Sequence, residues 1–215
     1  EVLWMGGIVV ALAGGDVTHW GSTNLTREYY SSNLLVRAGD STIRSRTFAA
    51  GASNVTFLAC NAGATVTRQR GGTANFERDL SAGGDAGLHY GLVPNARLGS
   101  WAVVSSNGLA GFSWAATDAG TNIRPFAGYT ANAFGAGVHT DVTLDQVLAA
   151  NDQAASVRFD AGAVMNLNGW QLDVTDGGIL VTPNASDGFG GPTVVNGGTL
   201  TSSGGERILQ NYSTT

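Results

Sequence analysis

The stretch NGWQLDVTDGGILVTPN, residues 168–184, decides the fold class of this chain. Apolar and polar residues alternate in its first half, which is the pattern of a strand with one buried face. The Gly177-Gly178 pair then interrupts the strand, because glycine permits the positive φ that a tight turn needs, and the alternation resumes at once. The sequence predicts strand, turn and strand, with an inward-facing set of Trp170, Leu172, Val174, Ile179 and Val181.

The same arrangement returns in VVNGGTLTS, where a second glycine pair, Gly197-Gly198, follows Gly177-Gly178. A recurrence over about 20 residues is typical of a parallel β-solenoid, in which each coil contributes short strands that pair with the equivalent strands of the next coil. We therefore predict an all-β chain that forms a parallel β-helix or β-solenoid of short strands ending at glycine, with parallel pairing across residues 155–211. A β-sandwich is the alternative, although its strands are usually longer and less often interrupted by glycine.

The composition favours the same fold class. Glycine accounts for 32 of the 215 residues and charged residues for 13%, so the chain is rich in turns and poor in the residues of surface helices. A chain of this length can bury a substantial core as one domain. Leu144–Ala150 is the only stretch with a helical composition, and the alternating residues on both sides of it favour strand and turn.

Charge and cysteine content exclude several classes of protein. The net charge of −5 opposes binding to nucleic acid or to an anionic membrane, because both require a concentrated positive field. All 11 basic residues are arginine, so lysine Schiff-base chemistry is excluded. Cys60 is the only cysteine, so the chain has no internal disulfide. The apolar run LWMGGIVVALAGG is too short to cross a bilayer, and we expect no membrane insertion by this chain.

Motifs that carry chemistry are missing from the sequence. There is no G-x-S-x-G nucleophile elbow, no phosphate-binding or dinucleotide-binding loop and no calcium-binding nonapeptide. His19, His89 and His139 share no ligand spacing. We therefore expect no catalytic residues, no cofactor, no metal and no enzyme activity. The best acidic pairs on one strand face are Asp141 with Asp145 and Arg158 with Asp160, and we interpret the second pair as an outward ladder of charges.

The N-terminal apolar segment is expected to take part in assembly. Unpaired strand edges recruit further strands unless charges or a cap protect them, and this segment holds a single charge, at Glu1. A strand donated to a neighbouring subunit would gain main-chain hydrogen bonds and apolar burial. The expected assembly residues are Leu3, Ile8, Val10 and Leu12. The alternative is that the same segment packs within its own domain.

Aromatic residues are unusually dense between residues 101 and 135. Such a cluster commonly seals a core or closes one end of a sheet. A platform on which sugar rings stack has the same composition. In that second interpretation the residues in contact with a glycan are Trp101, Trp114, Phe126 and Tyr129.

The C-terminal half resembles the bacterial proteins that carry autotransporter-associated β-strand repeats. The resemblance lies in the strands SVRF, GILVT and VNGGTL, in that order, and in the segment ARLGSWAVVSSNGLAGFSWAATDAGTNIRPFAGYT. Residues 96–211 carry it, and residues 1–95 share only short threonine-rich strands, so we divide the chain into 1–95 and 96–215. The resemblance implies a secreted or surface-displayed β-solenoid with a structural or adhesive role and no catalytic motif.

The sequence thus leads to three hypotheses about function. The first is a non-enzymatic extracellular structural protein, a homo-oligomer or polymer that forms a fibre, surface layer or stalk by stacking β-strands. The second is an adhesin that binds carbohydrate, with cell-surface glycans as partners. The third is a polysaccharide-degrading β-helix enzyme that would use Asp141 or Asp160.

Overall fold

The computed structural model describes residues 2–4, 9–20, 27–31, 33–46, 56–60, 66–78, 93–106, 110–186 and 193–213. These residues form an all-β structure in which most strand pairs are parallel, and they contain no α-helix, only one turn of 3₁₀ helix at Pro183–Ser186. The all-β prediction is therefore confirmed. The stretch with helical composition forms turns and a short strand, Gln146–Val147, as the alternating residues around it predict.

The chain divides into two compact units, Glu1–Phe126 and Ala127–Thr215. The division at residue 95 follows the sequence resemblance and stays a prediction. The strands of unit 1 are β1 (Val2–Trp4), β2 (Val9–Leu12), β3 (Gly15–Trp20), β4 (Arg27–Ser31), β5 (Asn33–Val36), β6 (Gly39–Arg46), β7 (Thr56–Cys60), β8 (Val66–Arg68), β9 (Gly72–Arg78), β10 (Ala102–Ser106), β11 (Ala110–Thr117) and β12 (Ile123–Pro125).

The first nine strands of unit 1 form three sets of parallel strands, and every third strand along the chain belongs to the same set. The orders are β1-β4-β7, β2-β5-β8 and β3-β6-β9. Beyond β9 the last set continues into β10 in parallel, and then into β11 and β12, which are antiparallel. Where the chain passes from one set to the next, backbone segments lie in close contact. A Cβ on Gly72 would lie 2.5 Å from the carbonyl oxygen of Arg37, so only glycine fits there.

Apolar side chains on equivalent positions of neighbouring strands form the core of unit 1. In the second set Leu12 lies beside Val36, and both are buried. On β9 and just before β10 the rings of Phe76 and Trp101 meet edge to face, with centroids 6.4 Å apart. Trp114 on β11 is fully buried.

Unit 2 contains the stretch that decides the fold class. Its strands are β13 (Tyr129–Ala131), β14 (His139–Val142), β15 (Gln146–Val147), β16 (Asp152–Phe159), β17 (Val164–Asn166), β18 (Gln171–Val181), β19 (Val194–Asn196), β20 (Thr199–Thr201) and β21 (Ile208–Asn211). One sheet has the order β13-β14-β16-β18, and both β20 and β21 pair with β18 along its two halves. A second sheet has the order β15-β17-β19. All these pairs are parallel, as predicted for residues 155–211.

The number of residues along the chain that separates two paired positions is not constant. Asp152 pairs with Leu172, and Leu172 pairs in turn with Leu200, which is a longer step along the chain. The two glycine pairs of the sequence are therefore not equivalent positions. Gly198 packs against the carbonyl of Trp170 at a corner, whereas Gly177 packs against the carbonyl of Glu206.

The expected turn at Gly177-Gly178 is a bulge within one continuous strand. Ala154 pairs with Val174 and Ser156 with Gly178, so three residues of β18 face a single residue of β16. Gly177 has a φ of +71°, which absorbs the two additional residues without ending the strand.

The predicted inward set is confirmed except at one position. Leu172 and Val174 are buried, and Ile179 and Val181 contribute to the same core. Trp170 is 40% exposed, so its assignment to the inward face was wrong. It precedes β18 in a turn where Asn168 and Gly169 have positive φ, and strand alternation does not extend into such a turn.

Candidate functional site

The last strands of unit 2 form an open apolar edge. On the core face Thr140, Val157, Ile179 and Leu209 occupy one row across four strands. Val157 is 1% exposed, whereas Leu209 is 67% exposed because no described strand lies beyond β21. Among the described residues, nothing covers the core face at Leu209.

Two further rows end in the same way. Val195 on β19 continues the row of buried Met165 and is 37% exposed. Leu200 on β20 continues the row of buried Leu172 and is half-buried. We call Val195, Leu200 and Leu209 the open edge. Among the described residues β19, β20 and β21 each pair on one side only, so their outer N–H and C=O groups face away from the sheets.

The described assembly residues of the prediction lie in the first two strands of unit 1. Leu3 belongs to β1, which pairs with β4, and Ile8 lies outside the described residues. Val10 and Leu12 belong to β2, which pairs with β5, and Leu12 is already 4% exposed within unit 1. The run is thus two strands of its own unit, which is the alternative interpretation, and its part in assembly stays a prediction.

The predicted glycan-contact residues do not share an exposed platform. Trp101 is 9% exposed and Trp114 is fully buried, so their indole faces are not open to a sugar, and that part of the prediction is corrected. The apolar packing of a core outweighs the aromatic composition that suggested a platform. Phe126 is half-buried in unit 1 and Tyr129 is half-buried in unit 2.

Tyr129 instead covers an ion pair. The guanidinium carbon of Arg158 lies 4.0 Å from the centroid of the Tyr129 ring. Arg158 donates two hydrogen bonds to Asp141, of 2.9 and 2.6 Å, and lies 3.7 Å from Asp160. Burial lowers the pKa of Arg158, but the hydrogen bond to Asp141 and the surrounding charges outweigh burial and raise it. The pair Arg158 and Asp160 thus belongs to a charge ladder whose principal member is Asp141.

A second charge ladder runs across the strands of unit 1. Arg44 on β6 contacts Asp16 on β3 at 2.5 Å and Glu77 on β9 at 2.7 Å. Alternating charges on neighbouring parallel strands hold those strands in register. Both ladders have the geometry of structural contacts rather than of a reaction centre.

Among the described residues, His139 and Ser156 form a contact between a base and a hydroxyl group. His139 Nδ1 lies 2.8 Å from Ser156 Oγ, on adjacent strands. Ser156 has no exposed surface, so its hydroxyl cannot reach a substrate in this arrangement. Asp141, two residues from His139, is engaged by Arg158.

A polar groove lies on the outer face of unit 2. Its lining residues are Ala136, Asn151, Asp152, Gln153, Gln171 and Asp173. The groove was not predicted from the sequence, although a repeated spacing of polar residues indicates it. Asn151 and Gln171 have the same separation along the chain as Gln153 and Asp173, which pair in register on β16 and β18.

No group of three or more metal-ligating side chains is found in the part of the chain that the structure describes. Within the same ranges there is no helix with the length and hydropathy needed to span a bilayer. The chain matches no protein-family model, no curated protein and no solved structure.

Proposed function

We propose that this chain is a non-enzymatic structural protein that assembles by stacking β-strands edge to edge. The observation that carries the proposal is the row Thr140, Val157, Ile179 and Leu209, which leads from the core to an uncovered leucine. A further parallel strand beside β21 would cover Leu209 and satisfy the outer backbone groups of that strand. Complete burial of a leucine side chain stabilises the assembly by about 1.5–3 kcal/mol, before the entropy of ordering the new strand is subtracted.

We propose the finer architecture of a β-solenoid for each unit. Successive coils of a solenoid place every third strand in the same parallel set. This is the pattern of β1-β4-β7, β2-β5-β8 and β3-β6-β9. In a solenoid each coil contacts only its neighbours, so the end coils present surfaces like those inside. Stacking of copies then repeats a contact that the fold already uses.

The complementary edge for a head-to-tail contact is the start of unit 1. Among the described strands β1, β2 and β3 each pair on one side only. A second copy that places these strands on β19, β20 and β21 would give a heterologous contact, which propagates into filaments when the rotation does not close. A fibre, a surface layer or a stalk follows from such a contact.

An extracellular location and kinship with the autotransporter-associated β-strand repeat proteins are part of this proposal. Their support is the resemblance in residues 96–211 together with the parallel pairing of the strands in unit 2. Stiff bodies of stacked strands suit display outside the cell, because every backbone group in their interior is paired and resists proteolysis.

The test is the size of the purified chain in solution and in the electron microscope. Leu209→Lys should shift the material from filaments to dispersed particles, because a charge on an edge strand opposes pairing. Leu144→Lys is the matched control, since Leu144 is also 67% exposed but lies in a turn. The proposal is wrong if the unaltered chain stays monomeric by light scattering at high concentration, or if both variants behave alike.

Deletion of Glu1–Ala13 separates the two possible contacts. It removes β1 and β2, so a head-to-tail assembly should be lost. Filaments that persist after the deletion would show that the N-terminal edge takes no part.

A further inference from the structure

The polar groove of unit 2 has the properties of a ligand site. It encloses about 320 Å³, at the lower end of the range of small-molecule pockets, and it opens to solvent. Its floor is the outer face of β16 and β18, where Gln153 pairs with Asp173 in register. Because two paired strands hold these side chains, the groove exists before any ligand arrives.

Several polar groups of the groove have no partner within the described part of the chain. The side-chain amide of Gln153 makes no hydrogen bond there, although Gln153 is exposed at the groove. Asp152 accepts one hydrogen bond, from the backbone N–H of Gln153, through Oδ1. Asp173 accepts from the Ser203 N–H and from Thr201 Oγ1 through Oδ1, and a hydrogen bond from the Ser203 side chain lowers its pKa. The second oxygen of Asp152 and the whole side-chain amide of Gln153 are left to bind something else.

The orientation of Gln171 shows that the neighbouring strand supports the site. Its Nε2 donates to Thr201 Oγ1 at 3.1 Å, which leaves its Oε1 free to accept. Its backbone N–H donates to Asn151 Oδ1 at 2.9 Å, so the amide NH₂ of Asn151 remains a free donor. Donors and acceptors therefore alternate along the groove.

This set of groups selects one chemical class. No arginine lines the groove and two carboxylates do, which disfavours phosphate, sulfate and other anions. The groove has no third Asp, Glu, His or Cys beside its two carboxylates, and a calcium titration tests whether its amide oxygens complete a cation site. Free carboxylate oxygens accept from hydroxyl groups, and free amides both donate and accept, which matches the hydroxyls of a neutral sugar.

The outer face of two paired strands thus presents donors and acceptors in one open groove. We propose that the groove formed by Asn151, Asp152, Gln153, Gln171 and Asp173 binds a neutral oligosaccharide through the hydroxyl groups of its sugar rings.

The test is a titration of the full-length Leu209→Lys variant, which is expected to stay dispersed and is unaltered in the groove, with cellobiose, maltose and N,N′-diacetylchitobiose, followed by nuclear magnetic resonance of the glutamine and asparagine side-chain amides. At least one sugar should shift the NH₂ signals of Gln153 and Gln171 saturably, with half-saturation on the order of 1 mM. Gln153→Ala should weaken that binding about 3- to 10-fold, because it removes one or two neutral hydrogen bonds.

The matched control is Gln69→Ala, because Gln69 is also an exposed glutamine but lies in unit 1. It should leave the affinity unchanged. Absence of any shift with all three sugars would overturn the proposal, as would equal weakening by the two variants. Calcium chloride that shifts the same signals in the absence of sugar would also overturn it, since the groove would then be a cation site. None of these results bears on filament formation, so the two proposals fail independently.

Discussion

Replacing Gly177 by alanine tests whether the bulge in β18 depends on a contact between distant parts of unit 2. Gly177 has a φ of +71°, and a Cβ built there would lie 2.9 Å from the carbonyl carbon of Glu206 and closer still to its oxygen. Carbon atoms pack at about 3.5–4.0 Å, so the carbonyl carbon alone requires a retreat of roughly 0.6–1.1 Å, and the closer oxygen requires a larger retreat of the Glu206 segment. That segment leads directly into β21, which pairs with β18.

Gly169→Ala supplies the reference for the magnitude. Gly169 also has a positive φ, +85°, but a Cβ there would meet nothing within 4 Å. Both variants carry the cost of a left-handed alanine, about 1–2 kcal/mol, offset by about 0.4–1 kcal/mol from the less flexible unfolded chain. Only Gly177→Ala adds the cost of overpacking, about 1–3 kcal/mol. We expect the two variants to differ by about 2 kcal/mol, or about 8–16 °C in Tm for a unit of this size.

Thermal unfolding followed by circular dichroism measures the difference, and hydrogen exchange locates it. In Gly177→Ala the amides of β20 and β21 should lose protection, because the loop that joins these strands is displaced. Gly169→Ala should retain it. If the two variants unfold within about 0.5 kcal/mol of each other, or if the amides of β21 keep full protection in both, the close approach of Gly177 and Glu206 does not determine stability.

Three further predictions concern the core, the charge ladder around Arg158, and Asp118, which accepts a hydrogen bond from Asn122 Nδ2 at 2.9 Å and lies 3.2 Å from Arg124. In urea denaturation, Val174→Asp should destabilise unit 2 by about 4 kcal/mol or more, because it buries an unpaired carboxylate. Asp173→Asn should be nearly neutral in the same assay. Arg158→Ala should cost about 3–5 kcal/mol, because Asp141 loses its partner in a largely buried pair, and adding Asp141→Asn should restore part of that loss in a double-mutant cycle. Burial raises the pKa of Asp118, but hydrogen bonds from neighbouring groups outweigh it and hold that pKa below its usual value. Its contribution to stability is therefore present above about pH 4 and lost as the pH falls through the lowered pKa, so Asp118→Asn should flatten the decline seen in acid titration.

Much of the strand content could be predicted because alternation is a local property. Leu172 and Val174 face inward as their spacing from Gln171 and Asp173 requires. The failure at Trp170 has an equally local cause, since the positive φ of Asn168 and Gly169 places that residue in a turn and not in the strand.

The register could not be predicted from the glycine pairs. Their separation along the chain matches the pairing of β16 with the first half of β18, but it is shorter than the step from β18 to β20. Additional residues, such as those of the bulge around Gly177, lengthen the step along the chain between paired positions without changing the local pattern. Only the paired strands themselves show which residues lie side by side.

Some contacts of the candidate site could be predicted from the sequence and others could not. The Arg158 and Asp160 pair was visible in the sequence because both residues lie close together on one strand face. Asp141, the principal partner of Arg158, comes from the preceding strand of the sheet and was not identified as such. The burial of Trp114 and the exposure of Leu209 also had no local signal, since both are apolar residues in alternating strands.

The sequence by itself determined that this chain is all β and that residues such as Leu172 and Val174 share one apolar strand face, because these properties depend on residues within a few positions of one another. The tertiary structure alone decided which strands are neighbours. It thereby decided that Val157 is covered and Leu209 is not, and that Gln153 lies beside Asp173. The physical reason is that a strand has no internal hydrogen bonds between its backbone groups, so its partners, and with them burial and the composition of any site, come from distant parts of the chain.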